Sequence, residues 1–223
     1  EKLEGKKKYG LVWDEERVPE KVVTDCQDKL PVLTEVKDKE ITTDENEPTH
    51  ILIEGDNYHA LSVLNYTHKG KIDLIYIDPP YNTGNNDFKY NDKFVDKNDT
   101  WRHSKWLAFM SKRLELAKEL LTEKGIIFIS IDDNEQAQLK LLCNAIFGEE
   151  NFITNIIWES KTGASDAKTI DTITEYILVY VKSPGKTNYS RNKFSYEVKR
   201  YRFTDEYEEI RGPHYTDNLD RGG

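Results

Sequence analysis

The chain of 223 residues has only two cysteines, Cys26 and Cys143, which show neither metal-ligand spacing nor a disulfide framework. No grouping of His, Cys and Asp has metal-ligand spacing either, so no bound metal is expected. Apolar runs of membrane-spanning length are missing and no secretory signal opens the chain, so the expectation is a cytoplasmic protein without a membrane span. Positive charge is also in short supply: 32 Lys and Arg stand against 41 Asp and Glu, a formal net charge of −9. A simple nucleic-acid-binding module usually carries a basic excess. Net charge governs non-specific attraction rather than site chemistry, so any nucleic-acid affinity is expected to come largely from residues outside this chain. A hydrophobic fraction of 37% and a charged fraction of 33% fit a polar protein with long exposed segments and room for one substantial core.

What is present is organised around residues 72–84. The run Ile72-Asp73-Leu74-Ile75-Tyr76-Ile77 has strand length and reads as a strand buried on both faces of a parallel sheet. Asp78-Pro79-Pro80-Tyr81 follows, then Asn82-Thr83-Gly84. The prolines lack N–H donors and fix their φ angles, so the strand stops and the turn is stiff. Asp78 then stands at the carboxyl edge, where ligands of open α/β sheets collect. Asp78 and the carbonyl of Pro79 can each accept a hydrogen bond from an amine, and Tyr81 offers a flat ring for stacking. Two acceptors and one ring suit the exocyclic amine of a nucleobase. Holding both amine hydrogens aims the nitrogen lone pair at an electrophile without any covalent nucleophile. The alternative is a tight turn with no further role.

Around this stretch the chain reads as alternating strands and helices. Residues 1–47 form a charged arm, with Trp13 as an anchor on the body. His50–Ile53 reads as a short strand leading to Glu54-Gly55-Asp56, and Asn57–His68 as a helix. Asp56 is either the cap of that helix or a ligand-binding acid, and one carboxylate has oxygens enough for both. The polar loop Asn82–Thr100 is a mobile cover or is disordered without substrate. Its Phe88, Tyr90 and Phe94 either support a displaced base or bury the loop on its own body. Trp106, Met110, Leu114, Ala117 and Leu121 form the apolar stripe of a helix over Trp101–Lys124, which Gly125 ends. A second buried strand, Ile126–Ile131, precedes Asp132-Asp133-Asn134-Glu135, read as a capping box. It opens a helix, Glu135–Phe147, that turns Leu139, Leu142 and Ile146 inward. Phe152–Trp158 and Tyr176–Val181 are further strands. The polar stretch between them is a candidate substrate-facing loop in which Lys161 and Lys168 either meet phosphate or are solvated.

Three segments, DPPYNTG, DTWRHSKWLAFMSKRLELAKELL and GIIFISIDDNEQAQLKLLCNAIFGEENF, resemble the amino-methyltransferases that act on DNA. They are most similar to the modification subunit of type III restriction–modification systems, which methylates adenine N6. The resemblance implies S-adenosylmethionine as methyl donor and DNA with a flipped adenine as substrate. A restriction subunit and a second modification subunit are the implied protein partners. It implies catalytic roles for Asp78, Pro79, Pro80 and Tyr81, and a cofactor site drawing on Asp56, Asn57, Thr83, Gly84, His103 and Trp106. One departure is Thr174, where the family pattern often has a histidine before the pair Glu175-Tyr176.

The resemblance also exposes a gap. Enzymes with the catalytic motif early in the chain carry a Phe-x-Gly-x-Gly cofactor motif late, and no segment here supplies it. The expected fold is therefore an α/β, Rossmann-like methyltransferase sheet with helices on both faces, incomplete because the glycine-motif strand is absent. Residues 1–47 would be an arm, 48–183 the catalytic half, and 184–223 a polar segment leading towards a target-recognition region. The expected function is adenine-N6 methylation of DNA, with the fragment inactive alone. The alternatives are an inert fragment or binding scaffold, or a methyltransferase for cytosine N4 or RNA.

Overall fold

The computed structural model describes residues 11, 13, 19–41, 47–160, 172–188, 190 and 203–214. The chain divides into two compact units, Glu1–Asn188 and Tyr189–Gly223. Within the second unit, Phe203 and His214 form an isolated antiparallel bridge that encloses one helical turn, Glu208–Arg211.

In the first unit the elements run α1 (Lys21–Asp28), α2 (Asn57–Thr67), β1 (Ile72–Ile77), β2 (Lys89–Tyr90), β3 (Lys93–Phe94), α3 (Arg102–Leu120), β4 (Leu121–Ile131), α4 (Gln136–Phe147), β5 (Phe152–Glu159) and β6 (Thr174–Val181). A four-stranded sheet has the order β1-β4-β6-β5. β1 and β4 are parallel, with Ile75 opposite Ile127 and Ile77 opposite Ile129, while β6 runs antiparallel to both β4 and β5. The mixed sheet with its parallel β1–β4 pair is the α/β architecture expected.

The main hydrophobic cluster lies on one face of this sheet, although Val179 and Val181 on the opposite face of β6 are buried as well. Ile127, Ile129, Ile131, Leu178 and Tyr180 meet Trp106, Met110, Leu114 and Ala117 of α3 and Leu139, Leu142 and Phe147 of α4 in a single buried cluster. Each of the Ile, Leu, Met and Phe side chains contributes about 1.5–3 kcal/mol by leaving water. Leu11 and Trp13 also pack against the cluster, so Trp13 is the anchor on the body that was expected. Glu20 receives both terminal nitrogens of Arg113 at 2.9 Å, which ties the start of α1 to α3.

Several expectations need correction. β1 is not buried on both faces: Leu74 and Tyr76 are 58% and 57% exposed, because β1 is an edge strand and α3 and α4 reach the sheet from the other side. Among the described residues, helical cover at β1 is therefore seen on one face. His50–Ile53 forms no strand, with Ile51 and Leu52 73% and 95% exposed. An apolar run becomes a strand only by pairing, and no described strand lies beside it. Gly125 does not end α3. The helix stops at Leu120, and Leu121–Ile131 runs as one strand through Gly125. The loop Asn82–Thr100 packs down on its own body, the second of the two uses expected for its aromatics. A β2–β3 hairpin turns at Asn91 and Asp92, both in the left-handed region, and Phe88, Tyr90 and Val95 are buried. Only Phe94 of the three loop aromatics stays half-exposed. Lys161 and Lys168 lie outside the described residues.

Candidate active site

Parallel pairing of β1 with β4 brings their carboxyl ends to the same edge, and antiparallel β6 adds its first residues there. Asp78, Asp132, Asp133 and Glu175 therefore share one rim. Asp78 is exposed, while Pro79, Pro80 and Tyr81 are half-buried. Tyr81 packs against the core, and its hydroxyl stands between two carboxylates: it is hydrogen-bonded to Asp78 and lies 3.5 Å from Glu175 Oε2. Burial, then the bond to Asp78 and the charges of Asp78 and Glu175, push the Tyr81 phenol well above its ordinary value. The ring is a neutral stacking surface and a donor, not a base.

The turn is held from behind. Trp106, fully buried on α3, donates its indole N–H to the carbonyl oxygen of Pro80 at 2.7 Å. Asn82, 1% exposed and left-handed at φ 58°, donates its amide to Glu135 Oε1 at 2.5 Å. Asparagine is among the few residues that enter this region readily. Arg102 closes the contact from α3, with Nη1 3.4 Å from the Asn82 carbonyl oxygen. His103 Nδ1 lies 2.7 Å from the same Glu135 oxygen. Glu135 is fully buried, and burial pushes its carboxyl above the usual range, opposed in part by Asn82, His103 and Arg102. Glu135 occupies the N-cap of α4 but makes no side-chain cap bond, and Asp132 accepts the Asn134 N–H at 2.9 Å in the turn ahead of the helix. The capping-box reading thus gives way to an acid turned into the site's supporting wall.

Beyond Asn82 the loop curls on itself. Asp87 accepts the Thr83 N–H at 2.9 Å, and Thr83 Oγ1 accepts the Asn85 N–H at 3.2 Å. Burial raises the Asp87 carboxyl, but hydrogen bonds from Thr83 and Gly84 outweigh it and hold the group below its ordinary value. Gly84 has φ 81°, and a Cβ there would stand 2.6 Å from Lys97 Cβ, so both backbone angle and space require glycine.

The residues singled out from sequence thus fall into two groups. Asp78 to Tyr81, Thr83, Gly84, His103 and Trp106 form one assembly, with Trp106 as a buried support. Asp56 and Asn57 stand apart at the start of α2. Asp56 Oδ1 accepts the Tyr58 N–H at 2.7 Å and lies 3.3 Å from Arg113 Nη2, so it is both cap and ion-pair partner. It also lines a cavity of about 410 Å³ shared with α1, whose walls include Leu30, Val32, Ala60 and Val63 beside Asp25 and Glu54. Apolar walls with carboxylate acceptors fit a nucleoside with an exocyclic amine. Among the described residues no acid, His and Cys grouping could hold a metal ion, and no helix is long and apolar enough to cross a membrane.

Sequence reasoning passed over Asn82, Glu135 and Glu175 as functional neighbours. The signal for Asn82 was its residue type straight after a stiff turn; Glu135 read as a cap and Glu175 only as half of a family pair, and it takes the packing of α4 and the pairing of β6 to bring them here.

The fold and rim define an α/β protein that presents an acid and an aromatic ring on a proline-stiffened turn, the equipment for holding a planar amine. A family model described as DNA methylase matches residues 72–219. The chain belongs to this DNA methylase family. It is 43% identical over 165 residues to the type III restriction-modification enzyme StyLTI Mod subunit of Salmonella typhimurium, covering 64% of this chain and 25% of that protein. It is 41% identical over 157 residues to the EcoP15I Mod subunit of Escherichia coli, covering 60% and 24%. The chain therefore spans about a quarter of the length of these relatives. Among solved structures, an M1.HpyAVI–SAM complex aligns with a TM-score of 0.42 at 17% identity, over 65% of this chain and 60% of that one.

Proposed function

We propose that this chain carries the amine-holding half of an S-adenosylmethionine-dependent methyltransferase that modifies adenine N6 in DNA, within a restriction–modification system. The observation that carries the reading is the exposed Asp78 carboxylate next to the Tyr81 ring, on a turn braced by Trp106 and Asn82. Asp78 and the Pro79 carbonyl take the two amine hydrogens; the Pro80 carbonyl is already engaged by Trp106. Tyr81 stacks on the base, which must leave the duplex at a cost of a few kcal/mol. As the amine nitrogen bonds to the methyl carbon and the donor's carbon–sulfur bond breaks to leave a neutral thioether, the nitrogen becomes cationic; the Asp78 carboxylate would stabilise that charge and take the released proton.

S-adenosylmethionine, when bound, supplies an electrophilic methyl group. Asp56 and its cavity would hold the nucleoside end, with Asn57 beside them, and Thr83, Gly84 and His103 would lie towards the reacting end. The flipped adenine, a restriction subunit and a second modification subunit as partners, and a cytoplasmic location belong to the same proposal. Residues 48–183 would be its catalytic part, with 1–47 as the arm and 184–223 leading towards target recognition.

The test is methyl transfer from labelled S-adenosylmethionine to defined DNA, followed by mass analysis of the nucleosides. N6-methyladenine supports the reading, and N4-methylcytosine transfers it to the other amine class. A second reading, a binding scaffold that is inert as it stands, is favoured by the exposed face of β1 and by the Ile51–Ile53 segment, which pairs with no strand among the described residues. Calorimetry decides: micromolar binding of S-adenosylmethionine to this chain removes the scaffold reading.

A further inference from the structure

Glu135 is an acid with 0% exposure, and its Oε2 has no hydrogen-bond partner among the described residues. Its other oxygen serves both Asn82 Nδ2, at 2.5 Å, and His103 Nδ1, at 2.7 Å. Burying a carboxyl group with one oxygen unmatched is costly, and replacing a whole buried polar pair by apolar groups is often neutral or stabilising. Fold stability alone therefore gives no reason for an acid at this position. Its partners do. Asn82 directly follows Tyr81 and holds a left-handed backbone at φ 58°. His103 sits one turn before Trp106, whose N–H grips Pro80. The turn that presents Asp78 and Tyr81 is thus bound to α3 at Pro80 and to α4 through Asn82.

We propose that Glu135 is a positioning residue for methyl transfer: through Asn82 it fixes the backbone leaving Tyr81, and through His103 it locks that backbone to the start of α3. The proposal rests on the methyltransferase reading for its catalytic consequence, but its structural half stands independently. Glu135 touches neither base nor donor. It acts by denying the Tyr81 ring and the Asp78 carboxylate the freedom to swing, and displacements near 1 Å in such a site cost on the order of a hundredfold in rate.

The experiment uses the full-length protein with Glu135→Gln, Glu135→Leu, Asn82→Gly and the double variant Asn82→Gly/Glu135→Leu. Glu135→Gln keeps an acceptor for Asn82; Glu135→Leu removes it. Asn82→Gly keeps the left-handed backbone and removes the amide, and it carries the test where Glu135→Leu does not fold. Kinetically, Glu135→Leu lowers kcat on the order of a hundredfold while KM for DNA stays within about threefold. Glu135→Gln restores kcat to within about tenfold of wild type, and the double variant is no worse than Glu135→Leu, as for residues that act as a unit. Independently of activity, amide hydrogen exchange over 82–87 quickens in Glu135→Leu and Asn82→Gly while β4 and β6 exchange as before. Wild-type kcat in Glu135→Leu overturns the proposal, as does unchanged exchange over 82–87. If the wild-type protein transfers no methyl group, the proposed function falls, and the exchange measurement still decides the role of Glu135.

Discussion

The indole N–H of Trp106 and the carbonyl oxygen of Pro80 meet at 2.7 Å, joining the middle of the motif turn to the first turns of α3. Proline has no N–H, so this carbonyl is the only backbone group through which the turn can be held at that residue. The helix is fixed in turn by the buried stripe below it, and so the position of the Tyr81 ring is set by the core. Sequence periodicity places Trp106 in that stripe, but it says nothing of where the indole nitrogen points.

Trp106→Phe tests this link. Phenylalanine retains most of the apolar burial and removes the donor, leaving the Pro80 carbonyl unmatched. The expected loss is about 1 kcal/mol of stability, that of a typical hydrogen bond at a partly buried acceptor, read by urea unfolding. A loss within experimental error would show that the bond does not hold the turn.

Asp78 calls for the opposite result. It is exposed, so Asp78→Ala leaves stability within about 0.5 kcal/mol of wild type. Methyl transfer falls at least about 10²–10³-fold, the usual loss when one preorganised polar group is removed from a transition state. Parallel melting curves and single-turnover transfer assays make the comparison. Normal transfer by Asp78→Ala would end its assigned role.

Tyr81 separates ring from hydroxyl. Tyr81→Phe keeps the stacking face and gives up the bonds to Asp78 and Glu175, so DNA binding changes by no more than about threefold. Tyr81→Ala loses base stacking, about 1–3 kcal/mol, and weakens binding between roughly fivefold and a hundredfold. A fluorescent purine analogue at the target position reports both. Equal losses in the two variants would mean that the hydroxyl, not the ring, recognises the base.

The sequence made the centre of this protein readable and its periphery much less so. The α3 stripe and α4 came through because burial periodicity is local information, and β1 came through as a strand but not as a buried one. The end of β1 and the stiff turn from Asp78 to Tyr81 were legible because two prolines after an apolar run leave the chain few conformations, while the roles given to these residues belong to the proposal. The strand proposed at His50–Ile53 failed because strands depend on partners, and partners are not written in the run itself. The end of α3 was misplaced by four residues because Gly125, a common helix stop, lies here within β4. Glu135 looked like a cap because a capping box and a buried acid after a turn share one pattern, and only α4's packing against the motif loop distinguishes them.

The protonation of Glu135 provides the last prediction. Burial raises its carboxyl above the ordinary range, against the opposing pull of Asn82, His103 and Arg102, the polar and charged groups that face it. In the window between the ordinary carboxylate value, about 4.3, and the raised folded value, the folded chain holds a proton that the unfolded chain has released. Folding is then disfavoured increasingly as pH rises through that window, and the loss is complete above the folded value. Glu135→Gln mimics the protonated side chain at every pH. Its melting temperature is therefore expected to match wild type near pH 4 and to exceed it at pH 8, since all other titrating groups are common to both proteins. A constant difference across that range would mean that Glu135 does not titrate abnormally, and the opposite trend would mean that His103 and Arg102 together outweigh its burial.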